Sequence, residues 1–244
     1  MRGFVILACF ALLAGCAEQG RTKATGNLPD LRIADAATAS GLPQTALAVT
    51  REILQSDPRN VGALLRQADA LMSMGQSEAA EECYRRVLEI DARSAEGLRG
   101  LGRAYLAKGE VREAEAMFRK AIGTNSNDAA ALNNLGIALD LQERHEEAQA
   151  AYQSALAHQP SMTAAQVNMG LSLALAGNTD RALALLRPLA NDPTADAKVR
   201  QNLAVALALA GDEVQAGKLL SADLPQDKVS SALAGYAALK VSAK

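Results

Sequence analysis

The chain has 244 residues with 25 basic and 27 acidic side chains, a formal charge of −2, so it offers no basic field for nucleic acid. Its hydrophobic fraction of 49% is too high for a disordered polymer, and four Tyr, three Phe and no Trp are too few for base-stacking platforms. Alanine is the commonest residue. Ala has the highest helix propensity, so closely packed helices are expected.

Met1 and Arg2 make a short positive start, and residues 4–13 are an apolar run. The run is about half the ~20 residues of a membrane-spanning helix, and it has the length of a signal-peptide core. The string Leu13-Ala14-Gly15-Cys16 follows and resembles the bacterial lipobox. In that motif the Cys thiolate accepts a diacylglycerol and the chain is cut before it. Residues 1–15 are therefore expected to be a lipoprotein signal peptide, with Cys16 the lipid-attachment residue. Ala17, not Asp, comes next; by resemblance to the usual sorting rule this implies an outer-membrane anchor facing the periplasm. Several acyl chains anchor stably where one binds only marginally. No cofactor beyond this covalent lipid is expected.

Residues 16–29 are polar and turn-rich and read as a lipidated N-terminus and flexible tether. Residues 27–60 carry Ala34, Gly41, Ala46 and Pro58 in the register of the units that follow, with Thr50 where an aromatic belongs. They read as a degenerate first repeat. From there the chain repeats with a period of 34 residues. Ala68, Gly102, Gly136, Gly170 and Ala204 mark one register position. Ala80, Ala114, Ala148, Ala182 and Ala216 mark a second, and Tyr84, Phe118, Tyr152, Leu186 and Leu220 a third. Small residues recur where two helices of a hairpin cross closely, and the large one fills the hole beside the crossing. Gly75, Gly109, Gly177 and Gly211 stand near the hairpin turns; Glu143 takes that place in the third unit. The units are 61–94, 95–128, 129–162, 163–196 and 197–230. Segment 227–244 carries Val229, Leu233, Tyr236 and Leu239 at helical spacing and reads as a capping helix and tail.

These positions resemble the tetratricopeptide repeat (TPR) family. One unit supplies Leu98, Leu101-Gly102, Tyr105, Ala114, Phe118 and Ala121; the next supplies Leu132, Leu135-Gly136, Leu139, Ala148, Tyr152, Ala155 and Pro160. The resemblance implies an all-α fold: a right-handed superhelix, or α-solenoid, of five to six helix-turn-helix repeats plus a C-terminal capping helix. Its concave groove would be lined by the first helix of each pair.

Catalytic patterns are not evident. His145 reads as a turn residue and His158 as a helix end, both solvated, and His145-Glu146-Glu147 lacks the second His of a zinc helix. Cys83 beside Tyr84 reads as a small core residue. The glycine-rich stretch 97–102 falls inside a helix with no preceding strand, so it fails the context of a dinucleotide loop. A non-enzymatic protein with no metal, nucleic acid or small-molecule substrate is expected.

The groove carries the informative residues. Arg66, Gly100, Asn134, Asn168 and Asn202 stand two positions before the small residue of each unit. Three successive Asn residues make a ladder whose amides offer both donors and acceptors, which suits an extended peptide backbone; equally, they could bond neighbouring helices. Arg66, Arg99 and Arg103, with Asp69 and Glu96, precede Ile137, Leu171 and Val205 and then Leu141, Leu175 and Leu209. The groove is expected to be polar and partly basic at one end and apolar at the other, unless the arginines pair with the carboxylates.

Residues 199–204 (Val-Arg-Gln-Asn-Leu-Ala), Leu219-Leu220 and Ala222-Asp223-Leu224-Pro225 closely resemble the TPR lipoproteins of tight-adherence (Tad/Flp) pilus assembly, the TadD type. That resemblance implies an adaptor that binds an envelope protein, a pilus or secretin component, and helps assemble the Flp pilus machine by piloting the secretin. A TPR lipoprotein serving outer-membrane protein or cell-wall assembly is the alternative, and an enzyme accessory or a cryptic hydrolase a third.

Overall fold

A computed structural model describes residues 30–242. The segments expected to be a signal peptide and a tether, with Cys16 between them, lie outside the described residues. Among those described, the chain forms thirteen α-helices and no strand: α1 Leu31–Ala39, α2 Pro43–Ser56, α3 Val61–Ser73, α4 Ser77–Ile90, α5 Ala95–Ala107, α6 Val111–Thr124, α7 Ala129–Asp140, α8 His145–His158, α9 Thr163–Leu175, α10 Thr179–Ala190, α11 Ala197–Ala210, α12 Glu213–Leu220 and α13 Gln226–Ser242.

Local chemistry sets these boundaries. Asn60, Ser94, Asp128 and Asp196 cap α3, α5, α7 and α11, each accepting a bond from the backbone N–H three residues on. Such caps satisfy donors that a helix start leaves unpaired. A further odd-numbered helix, α9, starts at Thr163 after Met162, which makes no side-chain cap. Every hairpin turn closes in one way. The N–H of Gln76, Glu110, Arg144, Asn178 and Asp212 reaches back to the carbonyl of Leu71, Tyr105, Leu139, Leu173 and Leu207 at 2.8–3.0 Å. This closure needs a left-handed residue just before the donor. Gly75, Gly109, Gly177 and Gly211 supply it at φ 72–94°, and Glu143 does so at φ 60° despite its side chain.

Helices pack in chain order, and each odd helix from α1 to α11 also touches the next odd one. The odd helices therefore form the inner, more tightly curved layer, and α13 closes the end against α11 and α12. The periodic small residues explain the fit. A Cβ added to Gly102 would lie 2.5 Å from the Phe118 ring; one on Gly136 would lie 2.4 Å from the Tyr152 ring, and one on Gly170 2.5 Å from Leu186. Phe118, Tyr152 and Leu186 are fully buried in these sockets.

Polar pairs stitch the outer layer from one hairpin to the next. Glu81 on α4 accepts from Lys108 at 2.8 Å, and Glu115 on α6 accepts from Arg144 at 2.9 Å and from Gln142 at 2.7 Å. Gln149 occupies the matching place on α8, where its Nε2 is buried without a partner. Burial alone would raise the Glu115 carboxyl, but hydrogen bonds from Gln142, Arg119 and Arg144 outweigh it and hold it at about 2, against 4.5 when free. A depressed carboxylate stabilises the fold above its unfolded value and loses that contribution as pH falls through the folded one. Glu115→Gln should thus cost about 2 kcal/mol at pH 7, allowing for screening of the half-exposed arginines. The deficit should shrink below pH 4.5 and vanish near pH 2, which urea titrations of both proteins across this range would measure.

Candidate functional site

The inner face of α1, α3 and α5 holds the three expected arginines, and each already has a carboxylate. Arg66 Nε donates to Asp35 Oδ1 at 2.7 Å, and its Nη2 donates to Asp35 Oδ2 at 3.0 Å. Arg103 Nη1 donates to Asp69 Oδ1 at 3.2 Å. Arg99 Nη1 lies 3.0 Å from both oxygens of Asp128, the N-cap of α7. Asp69 also accepts from the Tyr84 hydroxyl at 2.7 Å. Tyr84 comes from the outer layer, and its ring passes Gly100, where an added Cβ would sit 2.1 Å away. That is why the amide ladder is interrupted at Gly100. Arg66, Arg99 and Arg103 share this pocket with Asp35, Asp69 and Glu96. The basic end expected from sequence is therefore charge-balanced.

The amides are placed unequally. Asn168 Nδ2 donates to Asn133 Oδ1 at 2.9 Å, and Asn133 Nδ2 approaches Asn134 Oδ1 at 3.4 Å. Asn133 was not anticipated as a member; the Asn-Asn doublet was its only signal. Asn202 is 9% exposed, and its Nδ2 has no partner.

Asp140, the last residue of α7, gathers a second polar cluster. Its Oδ1 accepts from Ser172 Oγ at 2.7 Å and faces His145 Nδ1 at 2.8 Å; its Oδ2 accepts from the Tyr152 hydroxyl at 2.9 Å. Burial, then the adjacent Asp140 charge, keep the Tyr152 phenol protonated well above its usual range. The reading of His145 as a solvated turn residue is corrected here. Glu143 completes the turn, α8 begins at His145, and the ring folds back on Asp140 with its side chain 21% exposed. Ser172 bonds Asp140 directly and not the imidazole, so the cluster is not arranged as a nucleophile and its base. Cys83 is buried with Sγ 3.5 Å from Gln67, and burial pushes its thiol up. His158 ends α8 and is exposed. Among the described residues no group of His, Cys, Asp and Glu has a metal-holding arrangement. No described helix is long and apolar enough to cross a membrane.

From α7 onward the inner surface becomes apolar. Ile137, Leu171, Leu175 and Leu209 are half-buried, Leu141 is 60% exposed, and Val205 is buried. α9 carries no charged residue.

A one-dimensional stack of helical hairpins around an open inner face defines an α-solenoid. A tetratricopeptide repeat profile matches residues 31–95, 65–129, 99–148 and 133–197, more than half of the chain, and the protein belongs to the tetratricopeptide repeat family. Folds of this family are in general protein-interaction scaffolds, and its members bind protein partners. No curated protein sequence matches the chain. Among solved structures it is similar to PilW, a widely conserved type IV pilus biogenesis factor, at 23% identity over 79% of this chain and 91% of that one, with a TM-score of 0.70. It is also similar to PilF of Pseudomonas aeruginosa, at 17% identity over 78% and 86% of the two chains, with a TM-score of 0.64. A third is YrrB, a TPR protein with an unusual peptide-binding site, at 24% identity over 75% and 91%, with a TM-score of 0.53. At these identities the likenesses establish the fold.

Proposed function

We propose that the protein is a non-enzymatic adaptor, anchored to the outer membrane through lipidated Cys16, that holds a segment of an envelope protein in its groove. In this reading it assists assembly of a Tad/Flp pilus secretion machine and pilots the secretin. The observation that carries the binding role is the continuous inner face, charge-balanced over α1–α5 and apolar over α7–α11. A lipid anchor raises the effective concentration of such a partner at the membrane. The likeness to PilW, itself a pilus biogenesis factor, and the C-terminal resemblance to Tad lipoproteins support the pilus assignment.

Asn134, Asn168 and Asn202 would bond the partner, with Arg66, Arg99 and Arg103 at the polar end. Asn168 would exchange Asn133 for a partner group, while Asn202 has no bond to give up. Each exchange is worth about 0.5–1.5 kcal/mol. Replacing all three by Ala should weaken binding roughly tenfold to a thousandfold while the helices persist. The test starts from crosslinking in cells and capture of the partner from membranes. Its affinity for wild type is then compared with that for the triple variant, and Cys16→Ser is followed in membrane fractions and in pilus display. Capture of a secretin or pilus protein is expected, with outer-membrane placement lost in Cys16→Ser. Undiminished binding by a folded triple variant would move the site off the ladder, and normal outer-membrane fractionation of Cys16→Ser would refute the anchor.

A further inference from the structure

Six apolar residues form two rows across three successive inner helices. Ile137, Leu171 and Val205 make one row; Leu141, the C-cap residue of α7, with Leu175 and Leu209 makes the other, four residues further along the chain in each case. Residues four apart share one face of a helix. At the same register α1, α3 and α5 carry Asp35, Asp69 and Arg103 in the first row, and Ala39, Ser73 and Ala107 in the second. The change of character is therefore abrupt and falls at α7.

We infer that α7, α9 and α11 seat an amphipathic helix of a protein partner, lying across all three, with an uncharged apolar docking stripe. The inference rests on the groove reading above and names the partner's chemistry.

Charge argues for the uncharged stripe. A carboxylate or ammonium set against the middle of the two rows would lose its water beside α9, which has no ionisable residue; the exposed Lys198 lies two turns before Val205, at the start of α11. The cationic groups of the neighbouring half, Arg99 and Arg103, already hold Asp128 and Asp69. Spacing argues for a helix. Packed helices lie about 8–10 Å apart, so the side chains of one row recur at about that interval. An α-helix returns to the same face every seven residues, or about 10.5 Å. An extended strand returns every ~6.6 Å and again at ~13 Å, both further from the middle of that interval than the helical repeat. Apolar residues at i, i+7 and i+14 would meet Leu141, Leu175 and Leu209, and those at i+3 and i+4 would widen the stripe toward the other row. Asn202 stands one helical turn before Val205 on that same face of α11, with its Nδ2 buried and unpartnered among the described residues.

The test uses the full lipidated protein in phosphatidylethanolamine–phosphatidylglycerol vesicles, with protein-free vesicles as blank. Three labelled 18-residue peptides serve as probes in fluorescence anisotropy. The first carries Leu at heptad positions and a Lys/Glu back, the second has a central Pro in the same sequence, and the third has Glu at two stripe positions. The first should bind at least tenfold tighter than the other two, and Leu141→Gln, a change at an exposed site, should weaken it several-fold. Leu141→Gln with Leu175→Gln should remove binding with an unchanged helical circular-dichroism spectrum. Equal binding of the Pro peptide, lost in both variants, would overturn the helix while leaving the groove in place. Equal binding of the Glu peptide would overturn the uncharged stripe. Binding that neither variant alters would overturn the groove reading itself. No binding above blank by the first peptide would overturn this inference and leave the capture experiment to judge the groove.

Discussion

Gly136→Leu will break the middle of the solenoid. The new Cβ alone would sit 2.4 Å from Cε1 and 2.6 Å from Cζ of Tyr152, a ring that is 1% exposed and has no free space to enter. Overpacking a core costs about 1–3 kcal/mol. Here the ring is also tethered, since its hydroxyl donates to Asp140 at 2.9 Å. A bond to a charged group is worth about 1.5–3 kcal/mol, and moving the ring sacrifices it. The combined expectation is roughly 3–6 kcal/mol, a large part of the stability of a repeat domain. Thermal melts followed by circular dichroism would show it as a lower midpoint, with α7 and α8 losing amide protection first. Gly123→Ala is the control: Gly123 lies within α6, has nothing within 4 Å of an added Cβ, and should gain stability. A Gly136→Leu protein that melted like wild type would mean that Gly136 and Tyr152 do not face each other.

The second large effect is expected at Asp140. Its carboxylate joins α7 to Ser172 on α9 and to Tyr152 and His145 on α8. In Asp140→Ala the Tyr152 and Ser172 hydroxyls lose their acceptor in a buried setting, and each orphaned group costs about 1–3 kcal/mol. Ser172 retains only a long contact of 3.4 Å to the His145 carbonyl. A loss of about 2–4 kcal/mol is expected, and Asp140→Asn, which keeps one carbonyl oxygen, should recover part of it. Chemical denaturation of both variants would measure this. A loss below 0.5 kcal/mol would place the two hydroxyls on water. Tyr152→Phe combined with Asp140→Ala should cost less than the two single changes added together, because they remove one shared contact.

Much of this fold could be read from residue type at fixed intervals. The small-to-large pairing of Gly102 with Phe118, Gly136 with Tyr152 and Gly170 with Leu186 is a packing rule that period and volume reveal without coordinates. The turn at Glu143 was harder, because no side chain advertises a left-handed backbone there; the period alone placed it. The groove was only partly legible. That Arg66, Arg99 and Arg103 lie on inner helices followed from register. Asp69 was in view as a partner and pairs with Arg103; Asp35 and Asp128 were not, because they sit 31 and 29 residues from Arg66 and Arg99, across a stacking interface that no short-range spacing describes. Asp128 also reads as an ordinary helix cap, which hides its second role. His145 was misread because its environment is made by Asp140 and Ser172 on two other helices. Gly100 carries no amide because the Tyr84 ring occupies the space a side chain would need.

Asp128 has a consequence for how the molecule would respond to partial melting. It accepts from the Ala131 N–H at the start of α7 while holding the Arg99 guanidinium from α5. A frayed first turn of α7 would carry that carboxylate away and leave Arg99 without its hydrogen-bonded partner in the wall of the preceding hairpin. The pairing of Arg99 would then report the folding state of the next repeat: held by Asp128 while α7 is wound, and facing only the carboxylates of its own pocket, Asp35, Asp69 and Glu96, once it loosens. Arg99 is thus the one guanidinium of this wall whose hydrogen-bonded carboxylate belongs to a repeat not yet wound when the preceding hairpin stands alone.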